Sequence, residues 1–310
     1  MRHKNRGAEV RGTAVRFARP ETSDPFSLER QMFIEDVEAR IFPFRWHSED
    51  ISLTFEGVEE DRLRAVDLCA SLVGNHYGPQ ETVIAAMKEI GLHLAHQGQA
   101  LFELLRNGEG SVVGLWSFPP HGVYRFGGVY VQFLPRWGWH QLGRKYVVLK
   151  RDNVWRIGMP PELGGQRGYI KMLKSLSAWP SIGPNFYTED LQRQELPRYF
   201  SFAAYRRAFE AHSYGATRTW GWNGRDWSLQ HITEYYQFYR FLTFRWAHAV
   251  LRSHIIRQFN RLLAQIGISA SLLLEGLRSP EEILNVRERM ERGEIDFATA
   301  SRLTAGEERD

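Results

Sequence analysis

Apolar side chains recur along residues 231–265 at helical spacing, and this pattern predicts one long helix. The stretch contains neither proline nor glycine, and at about 1.5 Å per residue it would extend on the order of 50 Å. Apolar groups occupy most of its circumference, whereas a surface helix usually confines them to one stripe. The helix is therefore expected to be buried or held between neighbouring elements.

Shorter periodic segments predict further helices on both sides of a region of strands. These helical segments are residues 25–42, 59–73, 80–96, 169–179, 189–212 and 280–292. The last of them begins with Ser279-Pro280-Glu281-Glu282, which is a capping box with proline at the first helical position. Gly293 is expected to end it.

The region of strands is rich in Val, Tyr and Phe. Residues 100–106 and 111–118 flank the turn Asn107-Gly108-Glu109-Gly110, and this arrangement predicts a hairpin. Further strands are predicted at 50–55, 123–134 and 146–157, the last with a turn at Asp152-Asn153.

The predicted fold class is α+β and helix-rich, with a small, mainly antiparallel sheet at about residues 98–158 and a long helix at about residues 231–265. Four consecutive segments are expected. They are a basic N-terminal arm (1–24), an α+β core (25–158), a helical segment with a Trp-rich loop (159–230), and the long Arg-rich helix with the C-terminal helices (231–310).

The long helix belongs to a stretch without carboxylates, because residues 235–274 contain no Asp or Glu. The candidates for contact with DNA are its arginines, Arg240, Arg245, Arg252, Arg257 and Arg261. They do not fall on one stripe: Arg245 and Arg252 lie together, and the other three lie broadly on another side. Two roles stay open, namely pairing with acidic residues elsewhere and contact with a polyanion in a lumen or groove.

The formal net charge is only +4, but its distribution is uneven. Residues 1–19 carry six basic residues and one acidic residue, Glu9. Basic arms of this kind often bind polyanions, and a solvated tail is the other interpretation of the same composition.

Three tryptophans, Trp220, Trp222 and Trp227, lie within eight residues of one predicted loop. Tryptophan can stack on sugars or bases, and clustered tryptophans also anchor protein interfaces. We favour the interface, so these residues are the candidates for contact with another subunit or partner. The alternative is that they pack under the long helix.

Several classes of protein are excluded by composition. The mean hydropathy is −0.41, and apolar runs end well before the ~20 residues that span a bilayer, so no membrane partner is expected. The single cysteine, Cys69, excludes an intramolecular disulfide and a Cys-based zinc site. No signal peptide is apparent, and a reducing cytoplasmic context fits.

A catalytic or metal site has little support. His93 and His96 are three residues apart on a predicted helix, and His76 and Glu103 are candidates for a third ligand. No second motif completes such a site, so neither a metal nor another cofactor is expected. The glycine-rich residues 164–168 do not fit a phosphate-binding motif, and no nucleophile motif or carboxylate pair appears.

The order of these segments resembles that of tailed-bacteriophage portal proteins. Between Leu92 and Val123, a helix leads to Gly98-Gln99-Ala100, a strand, a Gly-rich turn, a second strand and an exit through Pro119-Pro120. Further similar segments are residues 159–173, 239–263 and 280–297. The resemblance covers about residues 60–300.

The resemblance implies a structural protein that is not an enzyme, with a wing-like core and a stem- or clip-like segment after it. Identical subunits would form a ring at one capsid vertex of a phage or prophage virion, after assembly in the bacterial host cytoplasm. Double-stranded DNA would pass through it without sequence preference, and terminase, capsid and head–tail connector proteins would dock on it. The alternatives are a nucleic-acid-binding protein that uses the basic arm and the long helix, and a metal-dependent hydrolase.

Overall fold

The computed structural model describes residues 9–10, 12–16, 28–43, 51–74, 78–182, 202–225 and 233–304. The chain divides into two compact units, each drawn from three separate stretches. The first unit comprises Met1–Thr22, Phe42–Met159 and Arg252–Leu277, and the second comprises Ser23–Ile41, Pro160–Leu251 and Arg278–Asp310. The units therefore interleave along the chain, in contrast to the four consecutive segments predicted above.

The fold class is α+β, as predicted, with many helices and small antiparallel sheets. In chain order the described helices are α1 (Leu28–Ile41), α2 (Glu59–Val73), α3 (Pro79–Gln97), α4 (Arg136–Leu142), α5 (Gly165–Ile182), α6 (Phe202–Ala216), α7 (Glu234–Gln265), α8 (Pro280–Glu291) and α9 (Phe297–Thr304). The described strands are β1 (Glu9–Val10), β2 (Val15–Arg16), β3 (Ser52–Gly57), β4 (Gln99–Arg106), β5 (Val112–Phe118), β6 (Val123–Phe126), β7 (Val129–Phe133), β8 (Tyr146–Lys150), β9 (Val154–Gly158) and β10 (Ala270–Glu275).

The long helix is confirmed as α7, which has 32 residues. It contributes its residues up to Leu251 to the second unit and its residues from Arg252 onward to the first. Among the described residues, no helix is long and apolar enough to cross a lipid bilayer.

The strands between α3 and α5 form two sheets rather than one. The predicted hairpin is confirmed as β4–β5, and β9 joins it in the order β5-β4-β9, while the second sheet has the order β6-β7-β8. Gly127 adopts a φ of 55° and, with Gly128, turns the chain between β6 and β7. The expected single strand at 123–134 is therefore two strands, because two adjacent glycines permit a tight reversal that the apolar pattern alone does not reveal.

One strand pairing in the first unit was not predicted. Strand β10 pairs antiparallel with β3, from Ala270 opposite Gly57 to Glu275 opposite Ser52. The Asn260 side chain on α7 donates to the carbonyl of Leu272 at 3.0 Å and accepts from its N–H at 2.7 Å. This amide occupies both backbone groups of Leu272, in the way that a neighbouring strand would.

Part of the basic arm packs into the first unit. The buried Glu103 carboxylate accepts hydrogen bonds from the backbone N–H groups of Thr13 and Ala14, the latter at 2.7 Å. The buried Gln132 amide accepts from Val15 at 2.9 Å and donates back to it at 2.7 Å. Buried polar side chains need such partners, so residues 12–16 are held in place rather than forming a solvated tail.

The second unit has an aromatic core around Phe33 of α1. Its ring meets Trp220 and Trp222 edge to face, at centroid distances of 5.3 and 5.5 Å. Tyr169 of α5 and Phe244 of α7 lie 6.2 and 6.4 Å away. Edge-to-face pairs at this range are favourable beyond their buried area, so this cluster joins α1, α5, α7 and the loop after α6.

The C-terminal helices of the second unit begin as predicted. The Ser279 hydroxyl accepts from the Glu282 N–H at 3.2 Å, and the Glu282 carboxylate accepts from the Ser279 N–H at 2.8 Å, which completes the capping box. Met290 of α8 and Ala300 of α9 are buried against Leu242 of α7. These contacts bury the apolar face of the first half of α7.

The loop after α6 approaches α7 closely at one glycine. Gly221 adopts a φ of 74°. A Cβ built on it would press against the Arg240 carbonyl oxygen, and would lie 2.6 Å from the Thr243 Cβ and 2.9 Å from the Phe244 nitrogen. Most of these atoms belong to the backbone of α7, which cannot move aside without disturbing the helix.

We expect the Gly221→Ala variant to lose about 2–5 kcal/mol in the free energy of unfolding, because left-handed strain and overpacking add. Gly224 is the matched control, since it has a φ of 75° in the same loop and nothing within 4 Å of an added Cβ. Gly224→Ala should lose only the backbone contribution of about 1–2 kcal/mol. Urea unfolding of both variants measures the difference, and equal losses would contradict the close approach.

Candidate assembly and nucleic-acid surfaces

Burial separates the five candidate arginines of α7. Arg240, Arg245 and Arg252 retain only 2%, 5% and 1% of their accessible surface. Arg257 and Arg261 are exposed. Because a phosphate must reach the guanidinium to bind it, the buried three are not available for contact with DNA.

Arg240 is surrounded by oxygen acceptors of the second unit. Its guanidinium donates to the Thr217 hydroxyl at 2.9 Å, the Trp222 carbonyl at 2.5 Å and the Asn223 side-chain oxygen at 3.1 Å. It also lies 4.3 Å from the centroid of the Tyr214 ring. Burial lowers the pKa of Arg240 from its usual value, but arginine remains charged in proteins, so these acceptors stabilise a buried cation.

Arg245 also turns toward the protein. Its guanidinium donates to the Thr304 hydroxyl of α9 at 2.7 Å and stands 4.3 Å above the Phe241 ring. A hydroxyl and an aromatic face both stabilise a cation without neutralising it. The sequence left open either pairing with acidic residues or contact with a polyanion. The contacts described for Arg240 and Arg245 are structural and involve neutral hydroxyl, carbonyl, amide and aromatic groups.

Arg257 and Arg261 occupy an exposed stripe of α7 in the first unit. Ser253, which precedes them by one helical turn, and Ala264, which follows them, are exposed as well, as expected for residues three or four apart on one helix face. The Arg257 guanidinium lies 3.3 Å from Nδ1 of His254, whose Nε2 is 3.0 Å from the Gly158 carbonyl. These two arginines are the members of the candidate set that a phosphate can reach.

Trp220 and Trp222 lie in the core of the second unit, with 1% and 2% of their surface accessible. The Trp222 indole N–H donates to the Asp36 carboxylate at 2.8 Å, and Asp36 also pairs with Arg225. Burial within one chain removes the reason for placing these two tryptophans at an interface. Trp227 lies outside the described residues.

The histidine cluster does not assemble into a metal site among the described residues, where no group of three or more His, Cys, Asp or Glu side chains is placed to hold an ion. His93 lies 3.2 Å from the Glu89 carboxylate, and this contact lowers the pKa of Glu89. Glu103, the candidate third ligand, is occupied by the backbone of residues 13–14. His76 lies outside the described residues.

A surface that sequence reasoning missed is one face of the β6-β7-β8 sheet. Strand register places eight side chains on this face, which we call the aromatic sheet face: Tyr124, Phe126, Val129, Val131, Phe133, Tyr146, Val148 and Lys150. Five of the apolar or aromatic members are strongly exposed, from 47% for Phe133 to 58% for Phe126, and Lys150 is exposed as well. Seven of the eight are apolar or aromatic, and this composition is unusual for the solvent side of an antiparallel sheet.

The opposite face of the same sheet is an ordinary core face. Tyr130, Val147 and Leu149 are buried there with Trp116 and Phe118 of β5. Apolar residues therefore occur at almost every position of β7 and β8 instead of every second position. This departure from alternation is the signal in the sequence from which the second face could have been found.

The surroundings of the aromatic sheet face are basic. Residues 110–151 contain no Asp or Glu, so this is a second carboxylate-free stretch of the chain. Arg144 and Lys145 directly before β8, and Lys150 and Arg151 at its end, are all exposed. A partner for this face should combine apolar groups with negative charge.

Comparison with known proteins adds no family to this description. No protein-family model matches the chain, and no curated protein matches it. The two surfaces that bear on function are the exposed arginine pair, Arg257 and Arg261, and the aromatic sheet face.

Burial predicts different outcomes for two arginines of the same helix. Arg240→Met should lower the free energy of unfolding by about 2–4 kcal/mol, because it leaves buried oxygen acceptors without a donor. Arg261→Met removes the same charge from an exposed position and should change it by no more than about 0.5 kcal/mol. Chemical denaturation of both variants tests this, and similar losses would contradict the separation by burial.

Proposed function

We propose that the chain is a structural subunit of a ring of identical copies through which double-stranded DNA passes, of the type formed by tailed-bacteriophage portal proteins. The observation that carries this proposal is the aromatic sheet face. A chain that exposes such a face gains free energy by covering it, and assembly with other copies provides the cover.

The size of the face supports assembly. At about 200 Å² for each aromatic side chain, four half-exposed aromatic groups and one valine present on the order of 450 Å² of apolar surface. Patches of this size are often functional on soluble proteins. A specific interface buries about 800 Å² on each partner, so this face could supply the apolar centre, with polar surroundings adding the rest.

The DNA part of the proposal is supported by the exposed arginines, Arg257 and Arg261. They lie one helical turn apart on α7, and the chain carries no carboxylate from Tyr235 to Leu274 that could neutralise them locally. A translocating channel needs weak phosphate contacts without base readout, and arginine side chains on a rigid helix can provide them.

As a portal-type ring, the protein would be a non-enzymatic component of a phage or prophage capsid vertex. Its expected partners are itself, duplex DNA, terminase, and capsid and head–tail connector proteins. The motor that drives packaging would be a separate protein, since the proposed role needs no catalytic group.

The proposal predicts an assembled mass many times 36.1 kDa in mass photometry. Tyr124→Ser combined with Phe126→Ser should shift the protein toward the monomer mass, because it removes two exposed aromatic groups from the centre of the interface. Val113→Ser is the control, since Val113 is 53% exposed on β5 and lies outside that face. A wild-type chain that stays monomeric at all concentrations would refute the ring.

Salt dependence tests the binding of DNA. The assembled protein should bind duplexes of unrelated sequence equally, with an affinity that falls steeply as salt rises. Arg257→Gln combined with Arg261→Gln should reduce the log–log slope by roughly 1.8, because each phosphate that an arginine neutralises adds about 0.9 to that slope. Arg289→Gln serves as the control, because Arg289 pairs with Glu294. An unchanged slope in the double variant would exclude α7 as the DNA-contacting element.

A further inference from the structure

We infer that the copies associate head to tail, with the aromatic sheet face of one copy docked on an acidic surface at the start of α2 in the next copy. This inference rests on the proposed ring and names the two surfaces that form it. Both surfaces belong to the first unit, and they share no residue.

The acidic surface consists of Glu56, Val58, Glu59, Glu60 and Leu63. All five are exposed, and the two apolar members are among the most exposed large apolar side chains of the described residues, at 68% for Val58 and 58% for Leu63. Three glutamates within five positions are thus combined with apolar side chains that the chain leaves uncovered. This is the combination that the aromatic sheet face requires of its partner.

A groove of about 260 Å³ opens beside the acidic surface, between β3, α2 and α3. Its lining includes Phe55, Leu63 and Val83, with Glu59 and Arg62 among its polar members. An apolar cavity of about 150 Å³ is large enough to hold benzene. The groove therefore has room for an aromatic side chain such as Phe126, the most exposed aromatic member of the aromatic sheet face.

The charges of the two surfaces are complementary. The aromatic sheet face includes Lys150 and adjoins Arg151 in a stretch without carboxylates, whereas the acidic surface has three glutamates at its apolar residues. Complementary charge favours this pairing and suppresses wrong ones. Because the two surfaces differ, the interface is heterologous, which is the kind that generates a ring when its rotation closes.

Two other occupants fit the aromatic sheet face less well. A second aromatic sheet face would bring the basic residues of both copies together, and like charges in contact are unfavourable. Single-stranded nucleic acid could stack on the aromatic groups. However, Val129, Val131 and Val148 fill the space between them. The hydrogen-bonding groups on the face are the Lys150 ammonium and the hydroxyls of Tyr124 and Tyr146, so base edges would find few partners.

Charge reversal on each surface tests the pairing. Lys150→Glu with Arg151→Glu, and separately Glu59→Lys with Glu60→Lys, should each reduce the assembled fraction at least tenfold in mass photometry. Lys171→Glu and Glu281→Lys are matched controls, because both residues are exposed and Glu281, like Glu59 and Glu60, lies in the first turn of a helix. Circular dichroism and the unfolding midpoint identify any variant that fails to fold.

Mixing the two charge-reversed proteins gives the sharper result. The native acidic surface of the first protein complements the native aromatic sheet face of the second. The reversed, acidic sheet face of the first protein likewise complements the reversed, basic surface of the second. Assembly should therefore return in the mixture and not in either protein alone, and it should contain both chains in equal amounts. A symmetric sheet-to-sheet interface predicts instead that the Glu59 and Glu60 substitutions have no effect on assembly, because those residues would lie outside the interface.

The outcomes separate this inference from the ring itself. If the wild-type chain assembles and both charge-reversed variants assemble equally well, the proposed pairing is wrong and the ring still stands. If the wild-type chain is monomeric, the ring itself is refuted. A separate experiment measures the affinity of the wild-type and variant proteins for fluorescent single-stranded DNA. If the Lys150 and Arg151 variant keeps its assembled mass but loses tenfold or more in affinity for this DNA, the face binds nucleic acid and the inference is wrong.

Discussion

The second unit is organised by a cation that has no carboxylate partner on its own helix. Arg240 is buried near the start of a carboxylate-free stretch, and a buried charge is tolerated only where hydrogen bonds replace its hydration. The residues from Thr217 to Asn223 supply most of those acceptors, so this loop must lie directly on α7. That requirement accounts for Gly221 at the closest approach and for the two tryptophans that fill the space on either side of it.

The first unit follows a different constraint, which is a small sheet with two apolar faces. One face is buried in the core around Trp116 and Phe118, and the other is exposed to solvent. Apolar surface that stays exposed costs free energy in water, and this cost is the physical basis of the assembly proposed above. The exposed apolar face thus follows from strand register, because every position of β7 and β8 must point to one face or the other.

Local signals predicted the local elements correctly. The capping box at Ser279, the turn at Asn107 and the uninterrupted apolar spacing of α7 each specify their structure within a few residues, and all three are confirmed. The pairing of β3 with β10 escaped prediction because it joins segments that are remote in sequence, and because the three consecutive leucines of β10 do not alternate with polar residues. For the tryptophans the sequence leaves both an interface and packing under the long helix open, because composition cannot distinguish a residue that anchors a partner from one that anchors its own core.

The same ambiguity applies to charge, because the sequence alone does not show which arginines of a basic stretch are exposed. Two long stretches lack carboxylates, and both are rich in arginine and aromatic residues. In α7 the chain turns three of five arginines inward, onto hydroxyls, carbonyls and aromatic groups among other neighbours, whereas residues 110–151 leave basic and aromatic side chains outside. The net charge of +4 is the sum of these basic stretches and of acidic segments such as the glutamates at the start of α2, so it conceals both. The proposed head-to-tail pairing depends on the separation of opposite charges onto distinct exposed surfaces, and not on the total charge.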